Sequence, residues 1–172
     1  GHNLFLQDFV PFVRRLTVAG LCNGLAQTLL KLTAPGVPDI YQGNEIWDFS
    51  LVDPDNRRPV DYGRRERLLR ELEAELEVPT PERTRALLDR IEDGRAKLYV
   101  TWRALRLRRA RAELFRDGEY LPLATQGSCA GHVCAFARRD ADGLVVTAVP
   151  RLTFRLAGGS CPLGAVWADT RI

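Results

Sequence analysis

Apolar residues recur about once per helical turn through the first part of the chain. In LTVAGLCNGLAQTLLKLT, residues 16–33, this spacing is carried by Leu16, Ala19, Leu21, Leu25, Leu29 and Leu32. The pattern predicts a helix over Phe5–Leu32, in one piece or two. We expect the helix to end before the sequence APG at residues 34–36, because Pro35 cannot continue it.

Three further helices are predicted between residues 64 and 115. The first, Arg64–Leu76, has leucines on one face and charged residues elsewhere. The second begins at Pro81, with Thr80 as its N-cap, and ends at Gly94. The third spans Lys97–Phe115 and carries arginines at positions 103, 106, 108, 109 and 111.

From Glu119 onward the pattern changes to short runs typical of strands. These are EYLPLAT, HVCAFARR, LVVTAVPRL and AVWADT, separated by turns rich in glycine, serine and aspartate. The sequence RDADGL favours a hairpin turn, since Gly143 tolerates a positive φ. The chain is therefore predicted to be α+β, with a helical part at residues 1–118 and a small antiparallel β domain at residues 119–172.

The segment between the first two helices has a different composition. APGVPDIYQGNEIWDFSLVDPDNRRPVDY, residues 34–62, contains four prolines, six acidic residues and two adjacent arginines. VPDIYQ predicts a brief strand, with Pro38 near its beginning where a missing donor is tolerated. Gly43–Gly63 is then a long loop, and loops of this length inside a compact domain are usually functional.

The composition of this loop favours carbohydrate binding. A helix, a strand and a polar loop form the last unit of a β/α barrel, and barrel enzymes bind their substrates on such loops. Sugar hydroxyls pair with carboxylates, amides and guanidinium groups, and sugar rings stack on Tyr or Trp. The structural alternative for single residues is bracing of the loop: Arg57 would pair with Asp53, and Asp55-Asn56 would cap a turn.

Composition and charge narrow the function classes. Apolar residues make up 45% of the 172 residues, charged residues make up 27%, and the net charge is +3. These values predict a globular protein and give no reason to expect nucleic-acid or membrane binding. We expect a cytoplasmic protein, because neither a signal peptide nor an apolar run of about 20 residues is present. The absence of methionine suggests a fragment, with Gly1-His2 as a tag remnant.

Two other features have structural explanations that we prefer. CAGHVC, residues 129–134, resembles half of a zinc site, but a second cysteine pair is lacking and the alternation favours buried thiols on a strand. We therefore expect no metal and no cofactor, and reduced cysteines. The arginines of the helix Lys97–Phe115 are expected to form a solvated face rather than a phosphate-binding stripe.

The loop also carries a resemblance to a known family. PGVPDIYQGNE resembles the eighth-strand segment of the α-amylase clan of glycoside hydrolases. The continuation WDFSLVDPDNRRPVDY is more specific and resembles the maltooligosyl trehalose synthase family, as do DGRAKLYVTWRALRLRRARAELFRDGEYLPL and VVTAVPRL. The family converts the reducing-end α-1,4 linkage of a maltooligosaccharide into an α,α-1,1 linkage.

The resemblance implies which part of the enzyme this chain forms and where the catalytic and substrate-binding residues lie. This chain would be a C-terminal piece: the last helices and strand of a (β/α)8 barrel, a helical extension and part of a β sandwich. The clan's three catalytic carboxylates would all lie upstream of Gly1, so this chain supplies no catalytic residue. The resemblance places the loop against the maltooligosaccharide, with the substrate site contacted or framed by Tyr41, Gln42, Glu45, Asp53, Asp55, Arg57 and Arg58.

Three alternatives stay open at the level of sequence. They are another transglucosidase of the same clan, a non-catalytic carbohydrate-binding or structural module, and a nucleic-acid binder through the arginine-rich helix. A barrel fragment also leaves an apolar helix face around Leu25, Leu29 and Leu32 without its usual partners. We expect that face either to drive self-association or to pack on the β domain.

Overall fold

A computed structural model describes residues 3–172, which form six α-helices and three strands. The tag remnant predicted at Gly1-His2 lies outside the described residues. The elements are α1 (Leu4–Thr33), α2 (Tyr62–Leu76), α3 (Pro81–Asp89), α4 (Arg95–Ala110), α5 (Ala112–Asp117), β1 (Glu119–Pro122), β2 (Val133–Asp140), β3 (Gly143–Pro150) and α6 (Thr153–Ala157). The α+β class predicted from the sequence is confirmed.

Helix α1 is one continuous helix of 30 residues, although it contains Pro11. Asn3 caps its start, where the side-chain oxygen accepts a hydrogen bond from the backbone N–H of Leu6. The helix ends at Thr33, and the N–H of Ala34 closes the last turn on the carbonyl of Leu30 over 2.9 Å. The predicted end before Pro35 is therefore confirmed.

The strand predicted at VPDIYQ is wrong. Residues 37–41 have no regular secondary structure, and Val37 is 96% exposed. A strand is defined by its hydrogen-bonded neighbours, and within residues 3–172 the paired strands are β1, β2 and β3 of one sheet. β-Branched and aromatic residues alone do not make a strand where no neighbouring strand is present.

The helices predicted after the loop all form. Asp61 caps α2 by accepting the N–H of Arg64 over 2.8 Å, so this helix begins two residues before the prediction. Thr80 caps α3 as predicted, but α3 ends at Asp89 rather than at Gly94. Gly94 adopts φ 88° between a short 3₁₀ turn, Ile91–Asp93, and α4. The predicted third helix is divided at Arg111 into α4 and α5.

The three strands form an antiparallel meander in the order β1-β2-β3. The hairpin predicted at RDADGL is confirmed, since Asp140 pairs with Gly143. The strand predicted at AVWADT is wrong: Gly164–Trp167 is a 3₁₀ helix, and beyond it a single bridge joins Gln126 to Arg171. Gly164 and Ala168, at the two ends of this turn, both have positive φ, which an extended strand does not allow.

The hydrophobic core lies where α1, α2, α3 and α4 pack together. Its buried members include Leu21, Cys22, Ile46, Leu72, Leu76, Leu87, Ile91 and Leu98. Of the two outcomes expected for the face around Leu25, Leu29 and Leu32, packing on the β domain is confirmed, and exposure of this face is wrong. Leu32 is fully buried and the other two are half-buried, because α4 and β3 cover this part of α1. Exposed apolar side chains lie instead on the N-terminal half of α1.

Two expectations about single residue types are corrected. Cys134 lies on β2 as predicted, but it is exposed rather than buried. The arginines of α4 are not all solvated. Arg108 donates to the carbonyls of Leu32 and Gly36, each over 3.0 Å, and so fixes the end of α1.

The barrel assignment and the domain division at Gly118 stay predictions. No group of histidine, cysteine and acidic residues suited to a metal ion occurs within residues 3–172. None of the helices described is both long and apolar enough to cross a membrane.

Candidate functional site

The candidate site is the loop between α1 and α2, residues 34–61, which is irregular but fixed at several points. Gly43 is the third residue of its first tight turn, Tyr41–Asn44, with φ 91°, and a Cβ at this position would lie 3.2 Å from the side chain of Val60. The turn therefore requires glycine both for its backbone conformation and for the close approach of the far end of the loop.

Trp47 connects the middle of the loop to α1, to α4 and to the 3₁₀ turn before α4. Its indole N–H donates to the carbonyl of Ile91 over 2.6 Å. Its ring lies against Gly24 of α1, where a Cβ would come within 2.8 Å of the ring. The Nζ of Lys97 lies 5.2 Å from the ring centroid and donates to the carbonyl of Ile46. Burial, together with the charge of Lys31, lowers the pKa of Lys97.

Arg65 of α2 holds the first turn of the loop. Its Nε donates to Glu45 over 2.9 Å, and its two terminal nitrogens donate to the carbonyls of Gly43 and Asp61. The guanidinium group is mostly buried, so these contacts are less screened than an ion pair on the surface. Glu45, one of the predicted site residues, is thereby turned toward α2.

Tyr41 and Gln42 are exposed at the start of the same turn. The carbonyl of Tyr41 accepts the N–H of Asn44 over 3.1 Å, which closes the turn while the Tyr41 ring is directed partly into solvent. An exposed aromatic ring beside an exposed amide is the combination that stacks on a sugar ring and bonds its hydroxyls.

The remaining four predicted site residues form two ion pairs at a second turn, near the tip of the loop. Asp53 pairs with Arg57 over 2.6 Å, and Asp55 pairs with Arg58. Asp55 also accepts the N–H of Leu51 over 2.7 Å. That backbone hydrogen bond, followed by the one from Arg58, lowers the pKa of Asp55. Asp55 is thus charged at neutral pH.

Asp48 connects the two parts of the site. It accepts hydrogen bonds from the hydroxyl and the backbone N–H of Ser50, which lower its pKa. The charges of Arg58 and Arg65 lower it further, so one carboxylate lies within electrostatic reach of both turns. The predicted residues therefore form two clusters, Tyr41-Gln42-Glu45 and Asp53–Arg58.

Sequence reasoning missed Arg65 and Lys97. Arg65 lies in a helix that contains four arginines, and no local signal distinguishes the one that turns inward. Lys97 lies 50 residues beyond Trp47 and meets it only through the packing of α4. On α1, Gly24 leaves room for the Trp47 ring, whereas nothing lies within 4 Å of a Cβ at Gly20.

Comparison with known proteins gives a consistent result. No family model matches the chain. Two sequences from Mycobacterium tuberculosis strains CDC 1551 and H37Rv, both named for maltooligosyl trehalose synthase, are each 46% identical over 149 residues. The match covers 87% of this chain and only 16% of either relative.

Solved structures agree. A maltooligosyltrehalose synthase from Arthrobacter ramosus is 41% identical, with a TM-score of 0.76 over 99% of this chain and 20% of that one. A second crystal structure of a maltooligosyl trehalose synthase is 32% identical, with a TM-score of 0.71 over 85% of this chain and 18% of that one.

By fold, the chain matches one segment of a class of much larger synthases. Its sequence narrows that class: the chain is homologous to maltooligosyl trehalose synthase and corresponds to a part of it. It spans about a fifth or less of the length of the relatives that it matches.

Proposed function

We propose that this chain supplies the sugar-contacting loop of a maltooligosyl trehalose synthase. The complete enzyme would convert the reducing-end α-1,4 linkage of a maltooligosaccharide into the α,α-1,1 linkage of a trehalose end. The observation that carries the proposal is the second turn of the loop, with two carboxylate–guanidinium pairs at Asp53–Arg57 and Asp55–Arg58. These charges lie on an exposed turn, whereas Trp47 and Arg65 fix the loop from below.

The catalytic carboxylates are proposed to lie in parts of the enzyme outside this chain. A retaining glycosidase mechanism needs one carboxylate as nucleophile and another as acid and base, about 5 Å apart across the bond that is cleaved. Glu45 and Asp53 are poor candidates, because each is already paired with an arginine, Arg65 and Arg57 respectively. We assign them to framing the site rather than to bond cleavage.

The loop's task follows from the reaction. The cleaved glucose must stay bound, turn over and attack through its anomeric hydroxyl, while water is kept from the covalent intermediate. Charged groups that are already oriented by each other hold sugar hydroxyls without reorganising at the moment of reaction. The Tyr41 ring would provide the apolar surface against a sugar face.

The side chain of Asn56 indicates that a hydrogen-bond donor from outside this chain binds at the tip of the loop. Its side-chain oxygen is buried and has no hydrogen-bond donor within residues 3–172. An unsatisfied buried acceptor costs about 1–3 kcal/mol. A hydroxyl of a bound sugar, or a donor from the rest of the enzyme, would remove that cost.

The test uses Arg57→Ala and Asp53→Ala in the complete protein that contains this chain. With maltopentaose as substrate, NMR measures the α,α-1,1 product and free glucose. We expect the ratio of rearrangement to hydrolysis to fall roughly tenfold or more, because water then competes better than a misplaced glucose hydroxyl as the nucleophile that attacks the intermediate. Arg139→Ala is the matched control, since Arg139 pairs with Glu119 over 2.6 Å at similar exposure but on the sheet.

Unchanged rate and product ratio in both loop variants would reduce the loop to scaffolding and overturn the proposal. A different product linkage from the wild-type protein would point to another transglucosidase of the clan. Tight sugar binding by this chain alone would favour a carbohydrate-binding module.

A further inference from the structure

Two cysteines far apart in the sequence meet at the edge of the core. Cys22 is buried on α1, and Cys161 lies in the segment that follows α6. Their sulfur atoms are 3.3 Å apart, although 139 positions separate the residues. A disulfide bond is about 2.0 Å long, so bond formation needs the sulfurs to approach by little more than 1 Å.

Cys161 is open to small molecules, whereas Cys22 is shielded. Cys161 borders a mostly apolar cavity of about 310 Å³, which Cys22, although only 5% exposed, also lines. It also borders a second, more polar cavity of about 380 Å³ that is lined by Arg85 and Arg90 among others. A low-molecular-weight reagent therefore reaches the sulfur of Cys161 first.

We propose that Cys22 and Cys161 form a thiol–disulfide modification site whose oxidant is a low-molecular-weight disulfide of the glutathione type. Cys161 attacks one sulfur of the reagent, forms a mixed disulfide and releases one thiol. Cys22 then attacks the sulfur of Cys161, loses its proton to the departing second thiolate, and closes the protein disulfide. The two protein thiols are oxidised by two electrons, and the reagent disulfide is reduced to two thiols.

The surroundings of the two sulfurs support this order of steps. Burial and the neighbouring thiol raise the pKa of Cys22 to about 12, so Cys22 stays protonated near neutral pH and does not start the exchange. Once Cys161 carries the reagent, Cys22 is already in contact with the sulfur that it must attack.

The disulfide would reinforce the base of the candidate site. Cys22 is two residues before Gly24, the position on which the Trp47 ring rests. A bond from Cys22 to Cys161 ties α1 to the segment after α6 and closes a loop of about 140 residues, which strongly restricts the unfolded chain. The inference does not depend on the proposed sugar chemistry.

The other two cysteines provide the internal comparison. Cys134 is exposed on β2, and the Sγ of Cys129 donates to the carbonyl of Val166 over 3.4 Å. Neither has a second sulfur in contact among the hydrogen bonds of residues 3–172. These cysteines are expected to stop at the mixed disulfide or to react between molecules.

The experiment exposes the purified protein to graded ratios of reduced and oxidised glutathione, then blocks free thiols and maps the peptides by mass spectrometry. We expect a linked Cys22–Cys161 peptide at the monomer position of a non-reducing gel. Calorimetry should show a rise in Tm of roughly 5–10 °C that a reductant reverses. Cys134→Ala should leave both results unchanged, whereas Cys161→Ala should abolish both.

A stable glutathione adduct on Cys161 without the linked peptide would overturn the proposal. So would linked peptides that involve Cys134 as often as Cys22. Cys161 is only half-buried, so Cys161→Ala is expected to fold. Comparing its Tm with that of the reduced wild type shows whether loss of the side chain alone explains the difference.

Discussion

The indole N–H of Trp47 donates to the main-chain carbonyl of Ile91 over 2.6 Å, across 44 positions of sequence. This contact joins the middle of a charged loop to the short 3₁₀ turn before α4. Because the same ring rests on Gly24 of α1, the loop is held between two helices rather than lying free on the surface. The exposed ion pairs at its tip therefore project from a rigid support.

The close approach of Trp47 to α1 gives the first prediction. Replacing glycine by alanine inside a helix normally stabilises it by up to about 1 kcal/mol. Gly20→Ala should show this gain, because nothing lies within 4 Å of the new methyl group. Gly24→Ala should lose the gain or destabilise the protein, since its methyl group would meet the Trp47 ring at 2.8 Å.

Urea unfolding measures both variants, and Trp47→Phe removes the partner ring. In that background, Gly24→Ala should recover stability relative to its effect in the wild type, which a double-mutant cycle detects. Equal stabilisation by the two alanine substitutions in the wild type would mean that the ring does not press on α1.

The helices were predictable because their signals are local. Thr80, Pro81 and Gly94 each define a boundary through the backbone of their own turn, and Pro35 ends α1 in the same way. The hairpin at Gly143 is equally local. The two failed strands depended on partners: neither residues 37–41 nor Gly164–Trp167 has a neighbouring strand to pair with, whatever their side chains favour.

The residues of the candidate site likewise divide into those that the sequence predicts and those that only the packing reveals. The acidic residues and arginines of the loop are visible in the sequence, and the pairing of Asp53 with Arg57 follows from their spacing of four. The supports are not visible, because Arg65 and Lys97 reach the loop only through the packing of α2 and α4. Sequence thus identified the charged groups of the site, whereas the structure was needed to find what holds them.

Arg65 is predicted to be the main support of the first turn. Arg65→Ala removes three donors from Glu45, Gly43 and Asp61, and we expect a loss of about 2 kcal/mol in the free energy of unfolding. Arg65→Lys should restore less than half of that, because an ammonium group cannot reproduce the planar fork of donors. Denaturant titration measures both.

Arg64→Ala is the control for this series, since Arg64 is the exposed neighbour on the same helix. Its effect should stay within about 0.5 kcal/mol. If Arg65→Ala and Arg64→Ala are equally mild, the contacts of Arg65 contribute nothing net to the fold.

The tip of the loop is predicted to loosen in acid. The pKa of Asp55 lies below its ordinary value of 3.8, because the carboxylate accepts the Leu51 N–H and the Arg58 guanidinium. A lowered folded pKa means that the contribution of Asp55 is complete above the unfolded pKa and is lost as the pH falls through the lower, folded pKa. The loop should therefore hold at neutral pH and open progressively below about pH 4.

Amide exchange at Leu51, followed by NMR as a function of pH, measures this opening. Asp55→Asn should speed that exchange at neutral pH and flatten its dependence on acid beyond the intrinsic exchange chemistry. A Leu51 amide that exchanges alike in both proteins would show that Asp55 does not hold the turn.

The exposed N-terminal half of α1 leads to the last prediction. Phe5, Phe9 and Phe12 are 65%, 46% and 54% exposed, and the rings of Phe5 and Phe9 stack 5.0 Å apart. Apolar clusters of this kind are covered by another surface in most stable proteins. We expect the 172-residue chain to self-associate through this face, rather than through Leu25, Leu29 and Leu32, and sedimentation velocity across a wide concentration range measures it.

Phe9→Arg should shift the association to higher protein concentration, because a charge in an apolar interface must be desolvated without a partner. Val37→Arg adds the same charge at a site that is 96% exposed on the loop, and it should leave the association unchanged. Equal effects of the two variants would indicate general charge repulsion, and a monomer at every concentration would remove the interface altogether. The comparison between Phe9 and Val37 therefore tests whether the position of the apolar surface, and not the net charge of the chain, brings two copies together.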